Sequence, residues 1–210
     1  MDRNRLWGDT MNDANDYFES IRLNYRPSEI KVLFVGESRP GGNTFFYTAD
    51  SNLYQYMKEG FEFFCNRHFY CSAEFFKFLM SKGIYLDDLC LEPINYSSSA
   101  ERNMFRNHYV ESLAKRIKEY KPTAIVIVMK GIQKYVLKAI KYIDNEESVD
   151  HVYVTAFPAC GQQGKFKIEI QSVLHGLKDS GCYSTTNNYC LKSAERRFFS
   201  YYKTRRKTWK

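Results

Sequence analysis

The six cysteines of this 210-residue chain never fall as C-x-x-C: they stand at Cys65, Cys71, Cys90, Cys160, Cys182 and Cys190. That spacing speaks against a zinc ribbon and gives little support to an iron–sulfur cluster. The four histidines, His68, His108, His151 and His175, are scattered without metal-ligand spacing. No G-x-S-x-G elbow supports a hydrolase triad, and no G-x-x-x-x-G-K-[ST] pattern supports a P-loop. No apolar run approaches the roughly 18 residues a membrane helix needs. The opening Met1-Asp-Arg-Asn-Arg5 lacks the apolar stretch of a signal peptide. These absences lead to the expectation of a cytoplasmic protein of bacterial or archaeal type with reduced thiols. Cys182 and Cys190 would close a small loop only in an oxidising compartment. No internal repeat is visible.

What is present is a chain long enough for one domain with a full core. Aromatic residues make up 17% of it, so rings must build much of that core. The net charge of +7 favours an anionic partner. Apolar spacing predicts a short helix over 11–24, with Tyr17, Phe18, Ile21 and Leu23 on its apolar side, and a strand over 30–35. Residues 51–80 read as two helical pieces capped by Ser51 and Ser72. Leu53, Tyr56, Met57 and Phe61 share one face of the first. A second strand covers Ile84 to Leu91, and a helix runs from Glu101 to Glu119 before Pro122. Ala124 to Met129 is uncharged and β-branched without alternation, the pattern of a strand buried on both faces. A helix over Ile132 to Ile143, a strand over Val152 to Phe157 and a helix over Phe166 to Leu177 complete the order. Strands separated by helices imply a three-layer α/β/α sandwich around a central, mostly parallel four-stranded sheet. This domain spans residues 1–180, and a basic aromatic extension occupies 181–210.

The richest stretch is Lys31-Val-Leu-Phe-Val-Gly-Glu-Ser-Arg-Pro-Gly-Gly-Asn-Thr-Phe-Phe-Tyr47. A buried strand runs into Gly36, then an acid, a Pro/Gly turn and an aromatic cluster. In open α/β sheets, ligands bind at the carboxyl ends of strands. Glu37 is therefore expected at the mouth of a pocket, with Phe45, Phe46 and Tyr47 behind it. Such a set suits a flat polar ring. The competing role for Glu37 is a helix cap or a salt bridge to Arg39 or another nearby base. For Phe46 the competing role is core packing, and for Asp87 and Asp88 it is capping or solvation at a strand end.

This layout resembles the uracil-DNA glycosylase superfamily over residues 30–175. Gly36-Glu37-Ser38-Arg39-Pro40-Gly41 is similar to the first motif of its family-four enzymes. Phe46 resembles the phenylalanine that stacks on a flipped base. Tyr85-Leu-Asp-Asp-Leu89 resembles the strand that carries a base-reading Asn, here Asp88. Phe157-Pro158-Ala159 resembles the second motif, whose histidine is here Phe157. The cluster-binding cysteines of the family-four enzymes have no counterpart. The resemblance implies a DNA glycosylase that flips an altered base and hydrolyses its N-glycosidic bond in DNA repair, with neither cofactor nor metal. It implies Glu37 as catalytic carboxylate and Gly36, Ser38, Phe46, Asp88 and Phe157 as the base-binding set. Arg39, Gln162, Gln163 and Lys165 would touch the DNA backbone, the last three at a helix start. An ionised Asp offers only acceptors. Asp88 would thus face two donors, as on a guanine-type ring, and repel the O4 of uracil. A base other than uracil is expected. The alternative is a catalytically inactive nucleic-acid- or nucleotide-binding module on the same fold, and a third option is an enzyme acting on small nucleosides or nucleotides.

Cys160 lies beside the expected pocket, where a helix start can lower a thiol pKa; a bystander role competes. The tail alternates Arg196, Arg197, Lys203, Arg205, Arg206, Lys207 and Lys210 with Phe198, Phe199, Tyr201, Tyr202 and Trp209. Charge and rings together suit a nucleic acid strand, or equally a solvated helix packed on the sheet. DNA is the expected partner, and a monomer is the expected state.

Overall fold

Four short parallel strands in the order β2-β1-β3-β4 form the centre of the molecule. The computed structural model describes residues 17–42, 44–143 and 149–183. In chain order the elements begin with a helix over 17–24 (α1), β1 (Val32–Gly36) and a 3-10 turn (Phe46–Thr48). Next come α2 (Asn52–Cys65), α3 (Ser72–Ser81), β2 (Ile84–Asp88), α4 (Ser99–His108) and α5 (Val110–Tyr120). Then follow β3 (Ala124–Val128), a 3-10 turn (Lys130–Ile132), α6 (Gln133–Lys141), β4 (His151–Thr155) and α7 (Gln163–Asp179). α2 packs on α7 and α5 on α6, giving the three-layer α/β/α sandwich that the strand and helix order predicts.

The central strands are the unbroken apolar runs. Val32 to Val35 and Ala124 to Val128 have no exposed surface, because helices cover both faces. β4 is an edge strand, and its Val152 is 38% exposed. The other edge, β2, is closed by side chains: Arg116 donates to the Asp88 carbonyl at 3.0 Å, and Tyr47 takes both backbone groups of Leu86. The Tyr47 hydroxyl accepts from the Leu86 N–H at 2.9 Å and donates to the Leu86 carbonyl at 3.0 Å. Tyr47→Phe should leave two buried backbone groups unpaired and cost about 1–3 kcal/mol for each. A urea denaturation midpoint unchanged from wild type would show that this edge does not need the hydroxyl.

Many of the rings predicted for the core pack between the sheet and α2 and α3. Tyr25 stacks on Tyr47 with centroids 5.6 Å apart, and Phe46, Tyr47 and Tyr54 all contact Phe76. Offset and edge-to-face pairs of this kind stabilise beyond their buried area.

Several boundaries differ from the sequence reading. The single helix expected over Glu101 to Glu119 is two helices meeting at Tyr109. The physical reason lies in the apolar face. Val110, Leu113, Ala114 and Ile117 are buried on α5, whereas α4 has no buried residue to hold it in line. α4 also starts earlier than expected, with a capping box between Ser98 and Glu101. Ser51 caps α2 through the Tyr54 N–H at 3.2 Å, as expected. Ser72 does not cap α3; Cys71 holds that position and makes no side-chain cap bond. The second strand ends at Asp88 rather than Leu91, and the fourth at Thr155 rather than Phe157. The expected helix start at residue 11 lies outside the described residues. So does most of the C-terminal extension, although Cys182 and Tyr183 at its beginning are buried.

Candidate functional site

The carboxyl ends of the strands open into one cavity of about 350 Å³. That volume lies within the usual range for small-molecule sites. The loop after β1 supplies Gly36, Glu37, Ser38 and Arg39; the end of β2 supplies Asp88; the 3-10 turn supplies Phe46; the loop after β4 supplies Phe157 and Cys160. The fold therefore brings together seven of the ten residues expected at the site. Gln162, Gln163 and Lys165 sit at the start of α7 and do not line the cavity.

Gly36 stands where it does because of Asp88. The two residues are paired across β1 and β2, and a Cβ at position 36 would fall 2.3 Å from Asp88 Oδ1. Strand alternation separates the neighbouring acids. Leu86 and Asp88 line the cavity, while Asp87 meets helix side chains. Asp87 Oδ1 accepts from Arg22 Nη1 and from the Asp88 N–H at 2.7 Å. Its Oδ2 accepts from Arg116 Nη1 at 2.5 Å and from the Tyr120 hydroxyl at 3.3 Å. The lone-pair sites of this carboxylate are filled. Neither acid is solvated at the strand end: both are buried, and so is Arg22.

Asp88 is tied less fully. Its Oδ2 accepts from Arg22 Nη2 at 3.0 Å. Burial pushes its pKa up to about 6, against the pull of Arg22 and with help from the Asp87 charge. Near neutrality this carboxyl can thus be either an acceptor pair or, when protonated, a donor and an acceptor. The acceptor-only reading of Asp88 holds above that pKa, and below it the group offers the same edge as an Asn. A raised folded pKa also has a consequence for stability. Between the ordinary 3.8 and about 6, the folded chain holds a proton that the unfolded chain has released. The contribution of Asp88 is fully present below that window and is lost as pH rises through it. Asp88→Asn should remove this loss. Its stability relative to wild type should rise across the window by about 3 kcal/mol and then level off. Denaturation at a series of pH values reads this directly, and parallel wild-type and variant curves would rule it out.

Glu37 is not paired with Arg39. Its Oε2 accepts from Arg102 Nη2, and its Oε1 accepts from Arg106 Nε at 2.6 Å and from Arg106 Nη2. Arg39 lies with its guanidinium over the Phe18 ring, 4.4 Å from the centroid, and donates to the Pro40 carbonyl at 3.1 Å. Ser38 Oγ accepts from the Ile94 N–H at 3.4 Å. Phe46 is 3% exposed and meets Tyr47 edge-on, so it is both core and cavity wall. Phe157, 37% exposed, also borders the cavity. Burial beside Glu37 and Asp88 pushes the Cys90 thiol up to about 12, which suits packing rather than reaction.

Four arginines were absent from the sequence-based site: Arg22, Arg102, Arg106 and Arg116. Two of them carried a signal. Arg22 falls at i+4 from Phe18 and three before Tyr25, and Arg116 falls between Leu113 and Tyr120 on the buried stripe of α5. A cation on an apolar stripe marks a buried ion pair. Arg102 and Arg106, on a polar helix, carried none beyond their i, i+4 spacing.

No protein-family model matches this chain, and no curated protein matches it in sequence. Among the described residues, no group of three or more His, Cys, Asp and Glu is placed to hold a metal ion. No described helix is long and apolar enough to cross a membrane.

Proposed function

We propose that this cavity takes a flat nucleobase flipped from DNA and that the chain hydrolyses its N-glycosidic bond, as a base-repair glycosylase does. The observation that carries this reading is the convergence of Phe46, Asp88 and Glu37 on one cavity at the carboxyl ends of the strands. Phe46 offers a stacking face, a contact worth about 1–3 kcal/mol per base. Asp88 reads the base edge. Glu37 takes a proton from water as the water oxygen bonds to the sugar carbon, and the C–N electron pair leaves with the base. The departing base takes its proton from solvent water, so Asp88 stays ionised and faces the donors of the base edge. Acting on DNA as a monomer, the protein needs no further partner for this chemistry.

Two points favour the second reading, a catalytically silent binding module. Three arginine N–H groups occupy Glu37, and the resemblance puts Phe157 where a motif histidine would stabilise the leaving base. The test is an oligonucleotide panel carrying uracil, hypoxanthine, xanthine and oxidised or alkylated bases. Abasic sites are read by alkaline cleavage. Excision of one altered base that Glu37→Gln abolishes supports the enzyme. Salt-sensitive binding with no cleavage of any base supports the silent module, and prompt excision of uracil overturns the predicted base preference.

A further inference from the structure

Helix α4 buries none of its residues. Among its contacts to other elements are four polar side chains. Asn103 Oδ1 accepts from the Tyr135 hydroxyl at 3.1 Å, and Asn107 Oδ1 accepts from Lys138 Nζ at 3.0 Å. Arg102 and Arg106, one turn apart, reach the other way to Glu37. Two guanidinium charges thus meet a single carboxylate, leaving an excess positive charge at the cavity mouth. The Arg102 side chain is 30% exposed and lines the cavity, yet its buried Nε–H has no acceptor. A buried N–H without a partner is costly and rare. The planar forks of arginine match phosphate oxygens as well as they match carboxylate oxygens. Inorganic phosphate or a monoester has more acceptor oxygens and more charge than the carboxylate now held there, and a phosphodiester equals it in charge and free oxygens.

We propose that Arg102 and Arg106 form a phosphate-binding site at the cavity mouth, which the Glu37 carboxylate fills when no ligand is bound. A phosphate ester on the sugar of the nucleotide whose base fills the cavity takes over the two guanidinium groups. Glu37 is then released, and its lone pairs become free to accept from water. The anion site stands on the arginine geometry alone; the release of Glu37 for catalysis rests on the function proposed above. In this arrangement the substrate itself switches the carboxylate from a structural partner to a base, so a phosphate-free nucleoside leaves Glu37 engaged.

The test is calorimetric titration of the full chain with inorganic phosphate at constant ionic strength. The proteins are wild type, Glu37→Gln and the double variant Arg102→Gln/Arg106→Gln. Removing the competing carboxylate should tighten phosphate binding by about tenfold or more, and the double variant should lose it. Arg106→Lys keeps the charge without the fork and should fall between, which separates loss of the site from loss of folding. Melting curves are recorded for every variant. Equal phosphate affinity in wild type and Glu37→Gln, or binding that survives in a folded double variant, overturns the inference. A second titration compares a deoxynucleoside with its monophosphate and with a short single-stranded oligonucleotide. A nucleoside that binds with no gain from its phosphate removes the anion site and keeps the base pocket. Phosphate binding without any nucleoside binding keeps the anion site and removes the base pocket. Tighter binding of the oligonucleotide than of the monophosphate assigns the site to a strand backbone, and the reverse order assigns it to a free nucleotide.

Discussion

Asp87→Ala should destabilise the fold by about 3–5 kcal/mol, the usual effect of removing one partner from a buried ion pair. The variant would leave Arg22 nearly fully buried with only Asp88 and the half-exposed Glu19 opposite it. It would also remove the acceptor of the Asp88 N–H and of the Tyr120 hydroxyl. Total stability for a domain is about 5–15 kcal/mol, so a loss of this size endangers folding at moderate temperature. Asp87→Asn should lose less, because it keeps an acceptor in place. The measurement is the guanidinium denaturation midpoint, with the slope checked for constancy. A loss below about 1 kcal/mol for the alanine variant, a value typical of an exposed pair, would mean that water already reaches the cluster.

Glu37→Gln should lower the rate of glycosidic cleavage by about 10²–10⁴-fold, the usual contribution of a positioned general base. The proposed site predicts how this loss divides. Glutamine cannot hold two guanidinium groups by charge, so Arg102 and Arg106 become available to the substrate phosphate. Affinity for DNA should therefore hold or improve while the single-turnover rate collapses. A variant that loses affinity and keeps its rate would sink both the catalytic role of Glu37 and its role as a stand-in anion. Single-turnover cleavage and equilibrium binding on the same altered-base duplex separate the two quantities.

Much of the architecture is legible because it rests on local pattern. The apolar runs of β1 and β3 can be satisfied only at the centre of a covered parallel sheet, and they define it. The junction at Tyr109 is hidden, because no Gly or Pro marks it and only the disappearance of the apolar stripe before Val110 betrays it. At the site, the strand-end rule places Glu37, Asp88 and Phe46 on one cavity. It cannot say what charge they meet. Arg102 and Arg106 lie 65 and 69 residues beyond Glu37, and no local signal ties positions so distant. Arg22 and Arg116 were readable as cations on apolar stripes, yet their targets were not. The two acids of β2 differ for a reason the period of a strand explains: alternate residues face opposite sides. Asp87 is committed to the helices, whereas Asp88 shares Arg22 with it and also lines the cavity.

The polar attachment of α4 bears on how such a chain can diverge. Core residues constrain one another through volume, and a change in one usually demands a change in several. α4 contributes no residue to that jigsaw. Its sequence answers to a handful of hydrogen-bond partners and to its own capping box. Substitutions there leave the packed core untouched, and surface changes of that kind usually cost little stability. The rim that selects the ligand can drift, lengthen or exchange its charges while the sheet beneath stays fixed. Descendants of this chain can therefore differ in what they bind long before they differ in how they fold. Laboratory selection for a new ligand has its freest ground on residues 99–108.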